Sequence, residues 1–341
     1  MNQALGRPAV VARVSDLIGG TPLLELCRTE TGSRLLLKLE MFNPTGTAKI
    51  RMARAMVDAA EERDELRAGG RIIESTSGNT GLGLAVIAAE RGYAFTAVVD
   101  HHAAADKLRA MKAMGTELVY VSDEDSEDLA TAAREELAAD MARGRENTTF
   151  TEQHNNPANG VGYFPVAHEL HQALDGAIDV LIGAVGTGGG LCGTTRELRL
   201  LTPHFTTIGV EPKGSIAFGG PAHDYYQSGT GTPEGAEIGA LVDYDLIDEG
   251  VKVGDVEAFA TARAVARTGL LIGGSAGGVV HEALHRLPLL PPGSTMVALI
   301  NDGGEKYLDT VFNDDWMNAR ALIDPAVERE IDEMLRKLRR N

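Results

Sequence analysis

Two short glycine-bearing turns constrain this chain most. The first, Ser75-Thr76-Ser77-Gly78-Asn79-Thr80-Gly81, follows Arg71-Ile72-Ile73-Glu74, which reads as a buried strand. The second, Gly186-Thr187-Gly188-Gly189-Gly190, follows Val180-Leu181-Ile182-Gly183. Each precedes a segment able to start a helix. A strand that ends in a polar, glycine-rich turn aims several backbone N–H groups at one point, which is how α/β proteins build anion sites. Two such turns predict one ligand with two anionic parts, or a ligand and a cofactor. A third stretch, Asn43-Pro44-Thr45-Gly46-Thr47-Ala48-Lys49, sets a lysine in a tight polar context.

The rest of the chain repeats the strand–turn–helix pattern. Strands are predicted at 23–26, 34–40, 71–75, 93–99, 117–121, 178–183, 207–210 and 296–300. Helices are predicted at 49–66, 80–91, 104–114, 125–143, 164–174 and 193–201, and a helix capped by Asp255 runs to Arg267. A turn at 269–278 leads to a helix at 281–286. This alternation predicts an α/β fold built on parallel sheet. Residues 212–245 show no periodicity, and an irregular stretch of that length points to function. The tail, 327–340, is amphipathic, with Ile331, Met334, Leu335 and Leu338 on one face, suited to covering the protein's own body or a partner subunit.

Composition narrows the function. The 341 residues suffice for one large or two ordinary domains. A net charge of −17 disfavours nucleic acid and anionic membrane as partners. Two cysteines supply neither a disulfide framework nor a cysteine metal cluster, and a cytoplasmic setting is expected. The N-terminus has no signal-peptide pattern and no apolar stretch reaches membrane-spanning length. The nine histidines show no metal-ligand spacing, and His101-His102 reads as a surface loop.

Each candidate has an ordinary reading too. Lys49 could be a solvated lysine in a first helical turn, although the positive end of the helix dipole disfavours it there. A desolvated lysine amine would instead form a Schiff base. The Ser75–Gly81 turn could be a simple helix cap or a carboxylate or phosphate cradle. Gly186–Gly190 fits neither GxGxxG nor a Walker loop, yet its glycines let backbone amides approach a phosphate. Gly273-Gly274-Ser275-Ala276-Gly277 has the spacing of a hydrolase nucleophile elbow. The histidines after it, His281 and His285, lie too close in sequence to complete a triad.

In joint order these stretches resemble the cysteine synthase family of fold-type II, pyridoxal-phosphate-dependent β-substitution enzymes, from about Ile18 to Thr310. The matching runs are Gly19-Gly20-Thr21-Pro22-Leu23, Lys38-Leu39-Glu40 with Asn43-Pro44, Lys49, Thr76 to Gly81, and Gln153 with Asn156-Pro157-Ala158-Asn159. Gly186-Thr187-Gly188-Gly189 and the Ser275 turn follow. Asp302-Gly303-Gly304-Glu305-Lys306-Tyr307-Leu308 is similar to the family's late Asp-x-Gly-Glu-Arg-Tyr-Leu run.

The resemblance implies two domains, each a mostly parallel twisted sheet flanked by helices. A smaller mobile domain would span 47–158, a larger cofactor-phosphate domain 12–46 and 159–325, and a C-terminal helix 326–341. Lys49 would hold pyridoxal 5'-phosphate covalently and then serve as the base at the substrate's α-carbon. Asn79 would bond the cofactor's ring oxygen, Gly186, Thr187, Gly188, Gly189 and Gly190 its phosphate, and Ser275 its ring nitrogen. Thr76, Ser77, Thr80 and Gln153 would bind the amino-acid carboxylate. The implied reaction is β-substitution on O-acetyl- or O-phospho-L-serine through an aminoacrylate, by a homodimer.

Several positions depart from the family's pattern: Ile50 replaces an aspartate, Gly190 a threonine, and His154 an aromatic. The run after Asn159 and the turn around Ser275 also differ. These departures leave the nucleophile open between sulfide and a nitrogen donor giving 2,3-diaminopropionate or a precursor. A non-catalytic regulatory paralogue is a further reading. A dehydratase is disfavoured because Thr80 stands where those enzymes carry histidine.

Overall fold

The computed structural model describes residues 10–100, 104–121 and 131–339. Its strands are β1 (Leu23–Arg28), β2 (Arg34–Leu39), β3 (Arg71–Ser75), β4 (Ala94–Val99), β5 (Glu117–Tyr120), β6 (Thr148–Phe150), β7 (Val180–Ala184), β8 (Thr206–Pro212), β9 (Glu249–Val253) and β10 (Thr295–Ile300). Its helices are α1 (Lys49–Glu62), α2 (Asn79–Arg91), α3 (Ala105–Ala113), α4 (Thr131–Ala142), α5 (Pro157–Val161), α6 (Phe164–Leu174), α7 (Gly189–Leu201), α8 (Asp255–Ala266), α9 (Gly274–Arg286), α10 (Asp314–Asn318) and α11 (Pro325–Arg339).

The strands form two sheets. A six-stranded sheet has the order β1-β2-β10-β7-β8-β9, and a four-stranded sheet the order β5-β4-β3-β6. All pairings are parallel except β1 with β2. The central strands read as continuous apolar runs because helices cover both faces. In β10, Met296, Ala298 and Ile300 enter the core under α8, α9 and α11, while Val297 and Leu299 enter the core under α1, α6 and α7. In β2, Leu35, Leu37 and Leu39 face one way and Leu36 the other, the two-residue period of a pleated strand.

Helix α1 belongs to both cores. Met52 and Met56 pack into the larger one, and Ala53, Val57 and Ala60 into the smaller. The seam between the sheets therefore runs along α1, and Lys49 is its first residue. The turns after β3, β7 and β10 all open at the carboxyl ends of their strands, where open α/β sheets place ligands.

Several boundaries differ from the sequence reading. Helix α1 stops at Glu62 because the chain reverses through Asp64 at φ 59°. Helix α7 begins at Gly189, inside the glycine turn rather than after it. Asp255 is the first residue of α8, capped by Gly254, and its carboxylate accepts from Tyr226 N and Gln227 Nε2. The 273–278 turn is the opening of α9, not a flexible elbow. Its Gly277 is required for packing, since a Cβ there would lie 2.1 Å from the Ala258 carbonyl oxygen of α8. Strands β6 and β9 and helices α5 and α10 were not anticipated; they are short, and β9 is an edge strand with exposed residues. The tail helix folds back on its own chain, burying Ile331, Leu335 and Leu338 beside Leu26 and Cys27 of β1. His101-His102 and the start of the helix expected at 125–143 lie outside the described residues.

Candidate active site

A cavity of about 640 Å³ opens between the two sheets. Lys49, Ser75 to Thr80, Gln153, Gly186 and Thr187 line it, with Ser228 to Ala236 closing one side. The lysine and both glycine turns thus meet in one space.

Lys49 reaches this position through a sharp turn. Thr45 has φ 68°, an uncommon conformation for a β-branched residue, and Gly46 follows at φ 67°. Its side chain is half-buried because it faces the cavity, while the enclosing walls strip water from the amine. Burial pushes that amine down to about 8, and the Asp302 charge acts in the opposite sense. A lysine so desolvated has a usable fraction of neutral, nucleophilic amine.

The first turn is ordered by its own side chains. Thr76 Oγ1 accepts from Gly81 N at 3.0 Å, Thr80 Oγ1 donates to Gln153 Oε1 at 2.7 Å, and Gln153 Nε2 donates to Ser75 O at 3.1 Å. Thr80 and Gln153, which are 73 residues apart, are therefore direct partners. Arg134 of α4 donates to Ser77 Oγ at 3.1 Å and pairs with Asp100 at 2.9 Å, fixing the turn from outside.

The second turn is shaped by exclusion. A Cβ on Gly188 would lie 2.4 Å from Leu241 O, and one on Gly189 2.1 Å from Asn159 Oδ1. Gly188 also has φ 86°. The first amides of α7 have no intrahelical acceptor, and no acceptor among the described residues takes the N–H of Thr187, Gly188 or Gly189. This is a backbone cradle for an anion at a helix N-terminus, and it suits a phosphate. Asn159 ties it to the first turn, donating from Nδ2 to Gln153 O at 2.7 Å and to Thr187 Oγ1 at 3.2 Å.

Not every candidate reaches the cavity wall. Gly188, Gly189 and Gly190 form the junction with α7, and Gly189 faces a second hollow of about 570 Å³ near Cys192 and Arg196. Ser275 is buried in the first turn of α9 and does not line this cavity. Ile50 is a core residue. Conversely, sequence reasoning did not single out Lys107 and Arg134, two further cavity-lining cations. They lie on helices with no motif of their own. The Ser228–Ala236 wall was signalled only by the lack of periodicity in 212–245.

A family model described as pyridoxal-phosphate dependent enzyme matches residues 14–302. A Sinorhizobium fredii protein, provisionally named a cysteine synthase, is 48% identical over 94% of this chain and 96% of its own length. The N-(2-amino-2-carboxyethyl)-L-glutamate synthase of Cupriavidus metallidurans is 33% identical over 89% of this chain and 90% of its own. The crystal structure of cysteine synthase from Entamoeba histolytica matches with a TM-score of 0.85 at 27% identity, covering 98% of each chain. The chain belongs to the pyridoxal-phosphate dependent enzyme family, among its cysteine synthase-like, fold-type II members. The residues present fit that cofactor: a desolvated amine and the Gly186-Thr187 edge of a turn with free amides stand on one cavity.

Proposed function

We propose that this chain catalyses β-substitution on an activated L-serine, with Lys49 as the covalent anchor of the cofactor and as the base. The observation that carries this is the single cavity shared by the Lys49 amine and both anion-binding turns. Gly186 to Gly190 and Thr187 Oγ1 would hold the phosphate. Asn79 would bond the ring oxygen, and Ser275, at the start of α9, would stand toward the ring nitrogen. Thr76, Ser77, Thr80 and Gln153 would take the substrate carboxylate, using the free amides at the start of α2 together with their side chains. Bound pyridoxal phosphate supplies the electron-withdrawing ring that stabilises negative charge at the substrate's α-carbon. Lys49 would take the α-proton: burial lowers its amine to about 8, which leaves a usable neutral fraction near neutral pH.

Residues 47–158 are proposed to move as one body against 12–46 and 159–325, with 326–341 fixed to the latter. Closure would exclude water from the reacting groups. A homodimer in the cytoplasm is the proposed setting; the exposed Phe42 and Leu308 are apolar surface that a second subunit could cover.

A nitrogen nucleophile that itself bears a carboxylate is the second reading. One observation favours it: a relative of this chain is an N-(2-amino-2-carboxyethyl)-L-glutamate synthase. Purified protein given O-acetylserine or O-phosphoserine with sulfide, ammonia or glutamate, and analysed by mass, tests both readings. A new β-substituted amino acid is expected from wild type and none from Lys49→Ala. Turnover by Lys49→Ala would refute the lysine's role.

A further inference from the structure

The loop after β10 carries charged groups that the reaction as described leaves without a task. Asp302 is a carboxylate only 2% exposed. Its Oδ2 accepts from Asn79 Nδ2 at 2.7 Å and from the Tyr307 hydroxyl at 2.7 Å. Its Oδ1 is buried with no hydrogen-bond partner among the described residues. Lys306 donates to the other end of the same amide, Asn79 Oδ1, at 3.2 Å and to the Gly46 carbonyl at 2.9 Å.

These partners leave the amide one orientation. An ammonium has only donors and a carboxylate only acceptors. The Asn79 atom facing Lys306 must be the oxygen, and the atom facing Asp302 must be the nitrogen, so the choice that usually has to be assigned is fixed by chemistry. Asp302 takes one of the two amide hydrogens. The other is left for a group in the cavity, and the amide cannot turn to offer its oxygen instead.

The same loop is tied to the reacting lysine. Asp302 forms a β-bridge with Thr47, and Ala48 N donates to Asn301 O at 2.8 Å. The carboxylate is therefore held by backbone to the turn that delivers Lys49. It is also the charged group that opposes the effect of burial on that amine. A purely structural role would not need a charge: burying a carboxylate with one oxygen unbonded costs stability that an amide would largely avoid. The wall makes room for that oxygen, since a Cβ on Gly273 would lie 2.1 Å from Oδ1. Across the seam, the Lys107 ammonium of α3 lies 5.2 Å over the Tyr307 ring, so the smaller sheet docks on this loop at two points, Asn79 and Lys107.

We infer that Asp302 and Lys306 are positioning residues for the reaction: together they hold Asn79 with one N–H toward the cavity, and Asp302 supplies the negative charge acting on the Lys49 ammonium. The inference rests on the reading of this cavity as the cofactor site.

The test uses apo-protein, so that it does not depend on turnover. Trace acylation with acetic anhydride across about pH 6 to 10, read at the Lys49 peptide by mass spectrometry, reports where that amine loses its proton. Reading by peptide is necessary because burial also pushes Lys306 down to about 8, with Asp302 acting against this and Lys107 adding to it. Wild type should show a Lys49 midpoint near 8. Asp302→Asn removes the charge that favours the ammonium, so the midpoint should fall by about one pH unit, a tenfold change in proton affinity. Fluorescence titration of the apo-proteins with pyridoxal phosphate gives the second readout. Lys306→Met, at a half-buried position, should weaken binding about tenfold, the effect of losing one charge-assisted hydrogen bond. Lys306→Arg should restore it. An Asp302→Asn protein with an unchanged Lys49 midpoint, or a Lys306→Met protein with unchanged cofactor affinity, overturns the inference. Wild-type protein that fails to take up pyridoxal phosphate at Lys49 overturns the underlying reading of the cavity, and the inference with it.

Discussion

At the level of single residues, the Gly186–Gly190 turn shows that its glycines are not equivalent. Gly189 has no space for a methyl group, because Asn159 Oδ1 would lie 2.1 Å from it. Gly190 has only Tyr163 nearby, at 3.7 Å. Gly189→Ala should displace Asn159 and with it the link to Gln153, destabilising the fold by about 1–3 kcal/mol and weakening pyridoxal phosphate binding at least tenfold. Gly190→Ala should do neither. Denaturant unfolding and cofactor titration of the two variants check this, and equal behaviour would contradict the geometry. The sequence displayed the glycines but could not rank them, because the crowding atom comes from α5, distant in the chain. Lys49 shows the same division. Its motif was legible, but its proton affinity depends on burial by two sheets and on Asp302, some 250 residues away in the sequence.

At the level of elements, α1 is the piece on which the site depends, and charge fixes its start. Arg51 and Glu40 are each 2% exposed and pair at 2.6 Å; Arg51 also bonds Glu169, which takes Lys38 at 2.5 Å. Two cations and two anions balance, with Thr21 and Asn43 donating to the Glu40 carboxylate. Removing one member strands a buried charge. Arg51→Met should lower the unfolding free energy by about 3–5 kcal/mol, measured by denaturant titration, and should lower cofactor affinity by loosening the turn before Lys49. A loss below about 1 kcal/mol would mean the pair is solvent-screened, contrary to its burial. From sequence, Lys38, Glu40 and Lys49 were visible as parts of the family's runs. Glu169 gave no signal, since only folding brings α6 alongside β2.

For the whole molecule, the tail could have served the body or a partner, and the fold sets it on the body. Leu335→Ala should cost about 2–4 kcal/mol while leaving the oligomeric state unchanged in analytical ultracentrifugation. Dissociation without loss of stability would assign the helix to a subunit contact instead. The alternation of strands and helices had already predicted the α/β class, because a strand covered on both faces must be apolar throughout, and such runs are visible in any window. Edge strand β9 and the short β6 escaped because neither is buried enough to leave a pattern.

What the chain's local chemistry determined by itself was the kind of fold, the two glycine-bearing turns and the lysine, since each is a property of neighbouring residues. Tertiary structure alone decided that all three share a cavity, that Ser275 is buried at the start of a helix, and that Asp302 and Lys306 grip Asn79. Those facts depend on which distant segments pack together, and that is settled by the apolar surface they bury rather than by any local pattern.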